Sequence, residues 1–161
     1  MKTEIAIFAA GCFWGVQAVF DSVEGVISTR VGYTGGKKEY KNPSYQEVCS
    51  GKTKHAEAVE IVFNPLKTSY EKLVKIFFMN HDPTTMNRQG VDVGEQYRST
   101  IFYLNEKQKE IALKSKKEYQ KKLEKLIVTE IVKANDFYIA EDYHQKYYLT
   151  HKISCRVNLP K

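Results

Sequence analysis

The segment EIAIFAAGCFWGVQAVF, residues 4–20, contains the clearest transition from a strand pattern to a helix pattern in the chain. Residues 4–10 have the length and the β-branched content of a strand, and the apolar residues between Val16 and Phe20 follow the i, i+3, i+4 spacing of a helix. We therefore expect a strand that ends, and a helix that begins, at Cys12. A strand running directly into an amphipathic helix is typical of domains in which helices pack on a sheet.

Strand-like and helix-like segments follow one another along the rest of the chain. Apolar and alternating runs predict strands at Val26–Tyr33, His55–Phe63, Arg98–Leu104 and Glu130–Lys133. Helical spacing and capping residues predict helices at Ser44–Cys49, Thr68–His81, Asn105–Leu126 and Ala140–Leu149. Because no repeat or linker interrupts this order, we expect a single α+β domain over residues 1–161. It would be a two-layer structure with helices packed on a mixed β-sheet, ending in an irregular tail at about residues 150–161.

The composition fits one soluble domain of ordinary size, with 161 residues of which 42% are hydrophobic and 27% charged. The three cysteines, Cys12, Cys49 and Cys155, include no CxxC pair, which argues against a secreted disulfide framework and against a zinc site. No apolar run approaches the roughly 20 residues of a membrane span, and the short apolar start after Lys2 is a poor export signal. We expect a cytoplasmic protein without a membrane segment or a metal.

The net charge of +6 is concentrated in residues 105–125, which hold eight Lys and four Glu. A nucleic-acid-binding module built on this helix would bind phosphates and lose affinity steeply with salt. The interspersed Glu residues, several at i+3 or i+4 from a Lys, favour instead an ordinary solvated helix face. We therefore expect no nucleic-acid partner.

Cys12 is the first candidate for chemistry, because it lies at the predicted start of a helix. Free backbone N–H groups and the positive end of the helix dipole favour a thiolate at such a position. Gly11 and Gly15 permit close approach of a substrate, and Phe13 and Trp14 supply an apolar surface. A buried structural cysteine in a strand-to-helix turn is the alternative interpretation.

Glu57 is the second candidate, because strand alternation places it on the same face as Val59 and Ile61. Burial of a carboxyl raises its pKa, so that it can hold a proton near neutral pH as a general acid does. The alternative is a structural ion pair with Arg98 or Arg88.

Polar groups in loops bounded by glycine form a third set of candidates: Tyr45, Tyr97 and Asp92. The four histidines show no metal-ligand spacing, and we expect them to be structural. A cysteine hydrolase or acyltransferase remains an alternative if His55 lies within hydrogen-bond reach of Cys12.

Seven motifs occur in order along the chain: GCFWG at 11–15, GYTGG at 32–36, YQEVCSG at 45–51, HAEAV at 55–59, NHDP at 80–83, QYRS at 96–99 and AEDYHQ at 140–145. Together they resemble the peptide methionine sulfoxide reductases of the A type, over about residues 5–148. The resemblance implies thiol-dependent reduction of the S epimer of methionine sulfoxide, free or in proteins. We expect the sheet to have a core related to the ferredoxin-like arrangement.

The resemblance also implies a role for each candidate residue. Cys12 would attack the sulfur of the sulfoxide, and Glu57 would donate a proton to its oxygen. Phe13 and Trp14 would hold the substrate methyl group. The groups that orient the oxygen would be Tyr45, Tyr97 and, through a bound water, Asp92.

The resemblance further implies how the oxidised cysteine is recycled. The sulfenic acid on Cys12 would condense with Cys155 to a disulfide, which thioredoxin or a similar reductant would open. Cys49 would be structural. No phosphate-binding loop or metal cluster is present, so we expect no cofactor, and we expect a monomer. The chain departs from the family pattern by ending six residues after Cys155 and by having Lys54 where a glycine usually precedes HAE.

Overall fold

The computed structural model describes residues 2–160. Its strands are β1 (Glu4–Ala10), β2 (Val26–Thr34), β3 (Ala56–Phe63), β4 (Arg88–Gln89), β5 (Asp92–Val93), β6 (Ser99–Tyr103), β7 (Glu130–Lys133) and β8 (Tyr138–Ile139). Its α-helices are α1 (Phe13–Asp21), α2 (Tyr45–Cys49), α3 (Tyr70–Met79), α4 (Glu106–Gln120) and α5 (Tyr147–Thr150), with 3-10 turns at Glu95–Tyr97 and Asp142–His144. No helix within residues 2–160 is both long and apolar enough to cross a membrane.

Six strands form one sheet in the order β7-β6-β1-β3-β2-β8, while β4 and β5 form a separate hairpin. Neighbouring strands of the large sheet are antiparallel except β6 and β7, which are parallel. The order of elements β1-α1-β2-β3-α3-β6 is the β-α-β-β-α-β arrangement of ferredoxin-like folds. The predicted α+β class with a mixed sheet and packed helices is therefore confirmed.

The main core lies between the sheet and helices α1 and α3. The ring of Phe8 contacts the rings of Phe20 and Phe77, with centroids 5.4 and 5.1 Å apart. On β3, Val59 and Ile61 belong to this core, whereas the small alanines on the other side belong to a second cluster. The prediction of which β3 side chains share the apolar face is thus confirmed.

Two helix predictions are wrong in their extent. Helix α4 ends at Gln120 because the Gln120 amide closes the next turn, donating to the carbonyl of Lys125 and accepting from the N–H of Ile127. Leu126, predicted to be the end of the apolar stripe, is 75% exposed. The predicted helix at 140–149 is a 3-10 turn followed by the short α5, because Lys146 adopts a left-handed φ of 54° between them.

Candidate active site

The junction between β1 and α1 positions Cys12. Gly11 turns the chain with a φ of +96°, and a side chain there would lie only 2.7 Å from the Cγ of Gln89. Cys12 then occupies the N-cap position of α1 without capping it through its side chain. The glycine is therefore required both by the backbone conformation and by the close approach of Gln89.

The protonation of Cys12 differs from the sequence-based expectation. The pKa of the thiol is raised to about 11, chiefly by burial and in part by the negative charges of Glu57 and Asp92. The backbone N–H groups of Trp14 and Gly15 act in the expected direction and lower the pKa. Burial raises the pKa by more than the N–H groups at the helix start lower it, so in the free protein Cys12 is a thiol at neutral pH.

Glu57 lies one residue into β3 and is only 1% exposed. Its Oε1 accepts a hydrogen bond of 3.2 Å from the N–H of Phe13, next to Cys12, while its Oε2 has no hydrogen-bond partner within residues 2–160. Burial raises the pKa of this carboxyl to about 8, against the lowering effect of the Phe13 N–H, and the charge of Asp92 adds to the increase. The carboxyl thus holds a proton near neutral pH.

The ion-pair alternative for Glu57 is wrong. The guanidinium of Arg98 pairs with Glu130, 3.3 Å away, and the Nε of Arg88 donates to the carbonyl of Gly90. Neither cation is available to compensate the Glu57 charge. A proton on the carboxyl is the remaining way to avoid burying an uncompensated charge.

Tyr45 and Tyr97 come together near this carboxyl. Tyr45 begins α2, and its backbone N–H donates to Oε2 of Glu141 at 2.9 Å. Its ring packs against the ring of His144, with centroids 4.6 Å apart. Burial raises the pKa of both tyrosines, that of Tyr97 to about 12, and the charge of Glu57 contributes to both increases. Both hydroxyls therefore remain protonated and can donate hydrogen bonds.

The aromatic pair after Cys12 is held differently at its two positions. Phe13 is 1% exposed and packs against Tyr33 and His144, so it lies behind the surface rather than on it. Trp14 is half-buried; its Nε1–H donates to Nδ1 of His144 at 2.8 Å, and Tyr147 stacks on the indole with ring centroids 3.7 Å apart. The indole plane is thereby fixed.

A cleft of about 320 Å³ brings Cys12 together with Asp92 and Cys155. Tyr148 and Gln89 also line it. The buried carboxyl and the two tyrosines do not line this cleft, and Glu57 is linked to Cys12 through the first turn of α1, where it accepts from the N–H of Phe13. Cys12 thus shares a cleft with a second thiol, and its neighbour Phe13 is hydrogen-bonded to a proton-holding carboxyl.

The sequence pattern predicts that His144 and Glu141 belong to an ordinary helix and does not indicate their part in the site. Glu141 accepts hydrogen bonds from the Tyr33 hydroxyl and the Tyr45 N–H, both at 2.9 Å. His144 is fully buried and orients Trp14. The only signal in the sequence was their shared membership of the motif at 140–145.

Two further positions are settled by the structure. His55 uses both ring nitrogens elsewhere, with Nδ1 3.0 Å from the N–H of Gly36 and Nε2 2.9 Å from the carbonyl of Tyr40. It cannot activate Cys12, so the hydrolase alternative is wrong.

Lys54 adopts a left-handed φ of 61° and pairs with Glu95 at 3.2 Å. Glycine adopts that conformation easily, so the lysine that replaces the usual glycine of the family is strained at this position.

Within residues 2–160, no group of three His, Cys, Asp or Glu side chains is placed to hold a metal ion.

Comparisons with known proteins agree with this geometry. A family model described as peptide methionine sulfoxide reductase matches residues 4–160. The chain is 54% identical over 147 residues to peptide methionine sulfoxide reductase MsrA of Methanosarcina acetivorans, covering 90% of this chain and 77% of that protein. It is 52% identical over 157 residues to MsrA of Methanococcus maripaludis, covering 98% of each chain.

Solved structures give the same result. The reduced form of Mxr1 from Saccharomyces cerevisiae matches with a TM-score of 0.92 at 34% identity, covering 99% of this chain and 93% of that one. Methionine sulfoxide reductase A of Corynebacterium diphtheriae matches with a TM-score of 0.83 at 32% identity, covering 99% of this chain and 84% of that one. Sequence, fold and the surroundings of Cys12 thus agree, and the chain belongs to the peptide methionine sulfoxide reductase family.

Proposed function

We propose that this protein reduces the S epimer of methionine sulfoxide, free or in proteins, to methionine. The observation that supports this most strongly is that Cys12 lies close to both the buried carboxyl of Glu57, which is bonded to the next residue, and the second thiol of Cys155, which lines the same cleft. A sulfoxide reductase needs all three: a sulfur nucleophile, a proton donor for the sulfoxide oxygen, and a thiol that removes the oxidised product.

In the first step, the sulfur of Cys12 attacks the sulfoxide sulfur while Glu57 protonates the oxygen. The attack joins the two sulfur atoms. The protonated oxygen then moves from the substrate sulfur to the Cys12 sulfur as the S–O bond of the substrate and the new S–S bond break, and methionine leaves. The atoms balance as one thiol and one sulfoxide giving one sulfenic acid and one thioether. The sulfoxide loses its oxygen, and the Cys12 sulfur is oxidised by two electrons.

Orientation of the sulfoxide comes from the groups around Glu57. The protonated hydroxyls of Tyr45 and Tyr97 would donate hydrogen bonds to the oxygen, and Asp92 would act through a bound water. Trp14 would contact the methyl group directly. Because Phe13 is buried, its contribution would be to support that surface from behind.

In the second step, the Cys155 thiolate attacks the sulfur of the Cys12 sulfenic acid. An S–S bond forms, the S–O bond breaks, and the oxygen leaves as water after taking up a proton. Cys155 is half-buried, so a thioredoxin-like protein can reach the disulfide and reduce it. The three free thiols suit a reducing compartment, and we propose that the protein acts in the cytoplasm.

The activity is tested by supplying the protein with pure S or pure R methionine sulfoxide and excess dithiothreitol. We expect methionine from the S epimer alone. Equal rates on the two epimers would contradict the proposed specificity, and no methionine from either would contradict the proposed activity.

The resolving role of Cys155 predicts that Cys155→Ser leaves the first turnover unchanged and slows the turnover that thioredoxin supports. The first turnover should release methionine at the unmodified rate, because Cys155 does not take part in that step. Turnover supported by thioredoxin should fall by at least about tenfold, since the sulfenic acid no longer has an internal partner. Dimedone should then label Cys12, as intact mass will show. Cys49→Ser is the matched control, and thioredoxin-supported turnover unaffected by Cys155→Ser would contradict the role.

A further inference from the structure

After α5 the chain continues past the cleft without a helix or strand as residues 153–160, which we call the strap. Three consecutive residues of the strap, Ser154, Cys155 and Arg156, line the same cleft as Cys12. The strap begins where the N–H of Ile153 donates to the carbonyl of Tyr148 at 2.8 Å. It contains no helix or strand, so its course depends on the packing of Cys155 and Val157 against the core and on how its other end is attached.

That other end is attached to the C-terminus of α3 by a pair of asparagines. The Nδ2 of Asn80 donates to the carbonyl of Asn158 at 2.8 Å, and the N–H of Asn158 donates to Oδ1 of Asn80 at 2.8 Å. The Nδ2 of Asn158 also donates to the carbonyl of Met79 at 3.2 Å. The first two bonds use the backbone of Asn158, so they depend on the side chain of Asn80 and on no side chain of the strap.

Asn80 belongs to the motif NHDP, to which the proposed reaction assigns no role. Two residues further on, the backbone of Asp82 forms two hydrogen bonds of 2.9 Å with the Gln89 side chain, which lies against Gly11. Gln89 in turn pairs with Asp92 in the β4–β5 hairpin. One short turn after α3 therefore fixes the hairpin that bears Asp92 and, through Asn80, the strap that bears Cys155.

We propose that Asn80 is a positioning residue that holds the strap so that Cys155 faces Cys12, and that it thereby sets the rate of disulfide formation. This inference rests on the proposed function, in which Cys155 attacks the Cys12 sulfenic acid. Anchoring both ends of the strap raises the effective concentration of the Cys155 thiol at Cys12, because fewer conformations of the tail compete with the reactive one. Asn80 takes no part in sulfoxide reduction.

The test is Asn80→Ala in single-turnover experiments with S-methionine sulfoxide and no added reductant. The rate of methionine release should stay within twofold of the unmodified protein. Loss of the Cys155 thiol should slow by about tenfold, since two hydrogen bonds to the strap are lost. Dimedone labelling of Cys12 should rise in proportion.

The matched control is Ser69→Ala, because Asn80 also donates to the carbonyl of Ile76 and so stabilises α3. Ser69 caps the opposite end of the same helix, accepting from the N–H of Lys72. This variant weakens α3 without touching the strap, and it should form the disulfide at the unmodified rate. Disulfide formation slowed equally in both variants, or unchanged in Asn80→Ala, would overturn the positioning role. If the unmodified protein forms no Cys12–Cys155 disulfide, the resolving role itself fails, so the two failures are distinguishable.

Discussion

Replacing Cys12 with serine is expected to abolish methionine formation, with a loss of at least about 10³-fold that matches the removal of a catalytic nucleophile. An alcohol is a far weaker nucleophile toward sulfur. Its oxygen also cannot take up the sulfoxide oxygen, as the cysteine sulfur does when it becomes a sulfenic acid. The assay is methionine release from the S epimer with excess dithiothreitol. Cys49→Ser is the control, because Cys49 is exposed at the end of α2 and is given no part in the reaction. Cys12→Ser activity above one hundredth of the unmodified rate would place the nucleophile elsewhere.

Replacing Glu57 with glutamine is expected to lower kcat by about 10² to 10⁴, the usual contribution of a positioned proton donor. The amide has the size of the carboxyl, and its oxygen can still accept the hydrogen bond from Phe13 N–H. Substrate binding should therefore change little, so that KM stays nearly constant while kcat falls. A variant with unchanged kcat would refute the role of Glu57 as proton donor.

The pH dependence of the unmodified protein follows from the order of two pKa values. The reactive form has a proton on Glu57 and none on Cys12, whereas burial places the pKa of Glu57 at about 8 and that of Cys12 at about 11. Between about pH 8 and pH 11, Cys12 and Glu57 together bind one proton, which is also the number bound in the reactive form. Below about pH 8 a second proton is bound, so kcat/KM should fall by about tenfold per pH unit there. Glu57→Gln should lack this break at pH 8.

Stability provides a check that Glu57→Gln remains folded. The pKa of Glu57 is raised from an ordinary 4.5 to about 8 in the folded protein, so the protonated carboxyl favours the fold below pH 4.5, and that stability is lost as the pH rises through about 8. Glutamine does not ionise. Above pH 8 the variant should therefore unfold at a higher temperature than the unmodified protein, as thermal melts at pH 9 will show.

The local pattern of the sequence was sufficient to predict the elements on which the site is built. Strand alternation placed Glu57 on the side of β3 that faces the helices, and the strand-to-helix transition placed Cys12 at the start of α1. Both predictions depend on residues that are close in sequence, where periodicity and capping are informative.

Contacts between distant parts of the chain could not be predicted in this way. Glu141 contacts Tyr45 from 96 residues away, and Asn158 contacts Asn80 from 78 residues away. The pKa of Cys12 was expected to be low because the helix start was visible in the sequence, whereas the burial that dominates it was not. Such effects depend on tertiary packing, which periodicity does not encode.

The most direct test of the mechanism is one turnover of the pre-reduced protein with S-methionine sulfoxide and no other reductant, followed by methionine release and by mapping of free thiols. The proposed mechanism predicts about one methionine per chain, as a single reducing dithiol allows, with the thiols of Cys12 and Cys155 lost together and that of Cys49 retained. Methionine release with the Cys12 thiol intact and unmodified would contradict it.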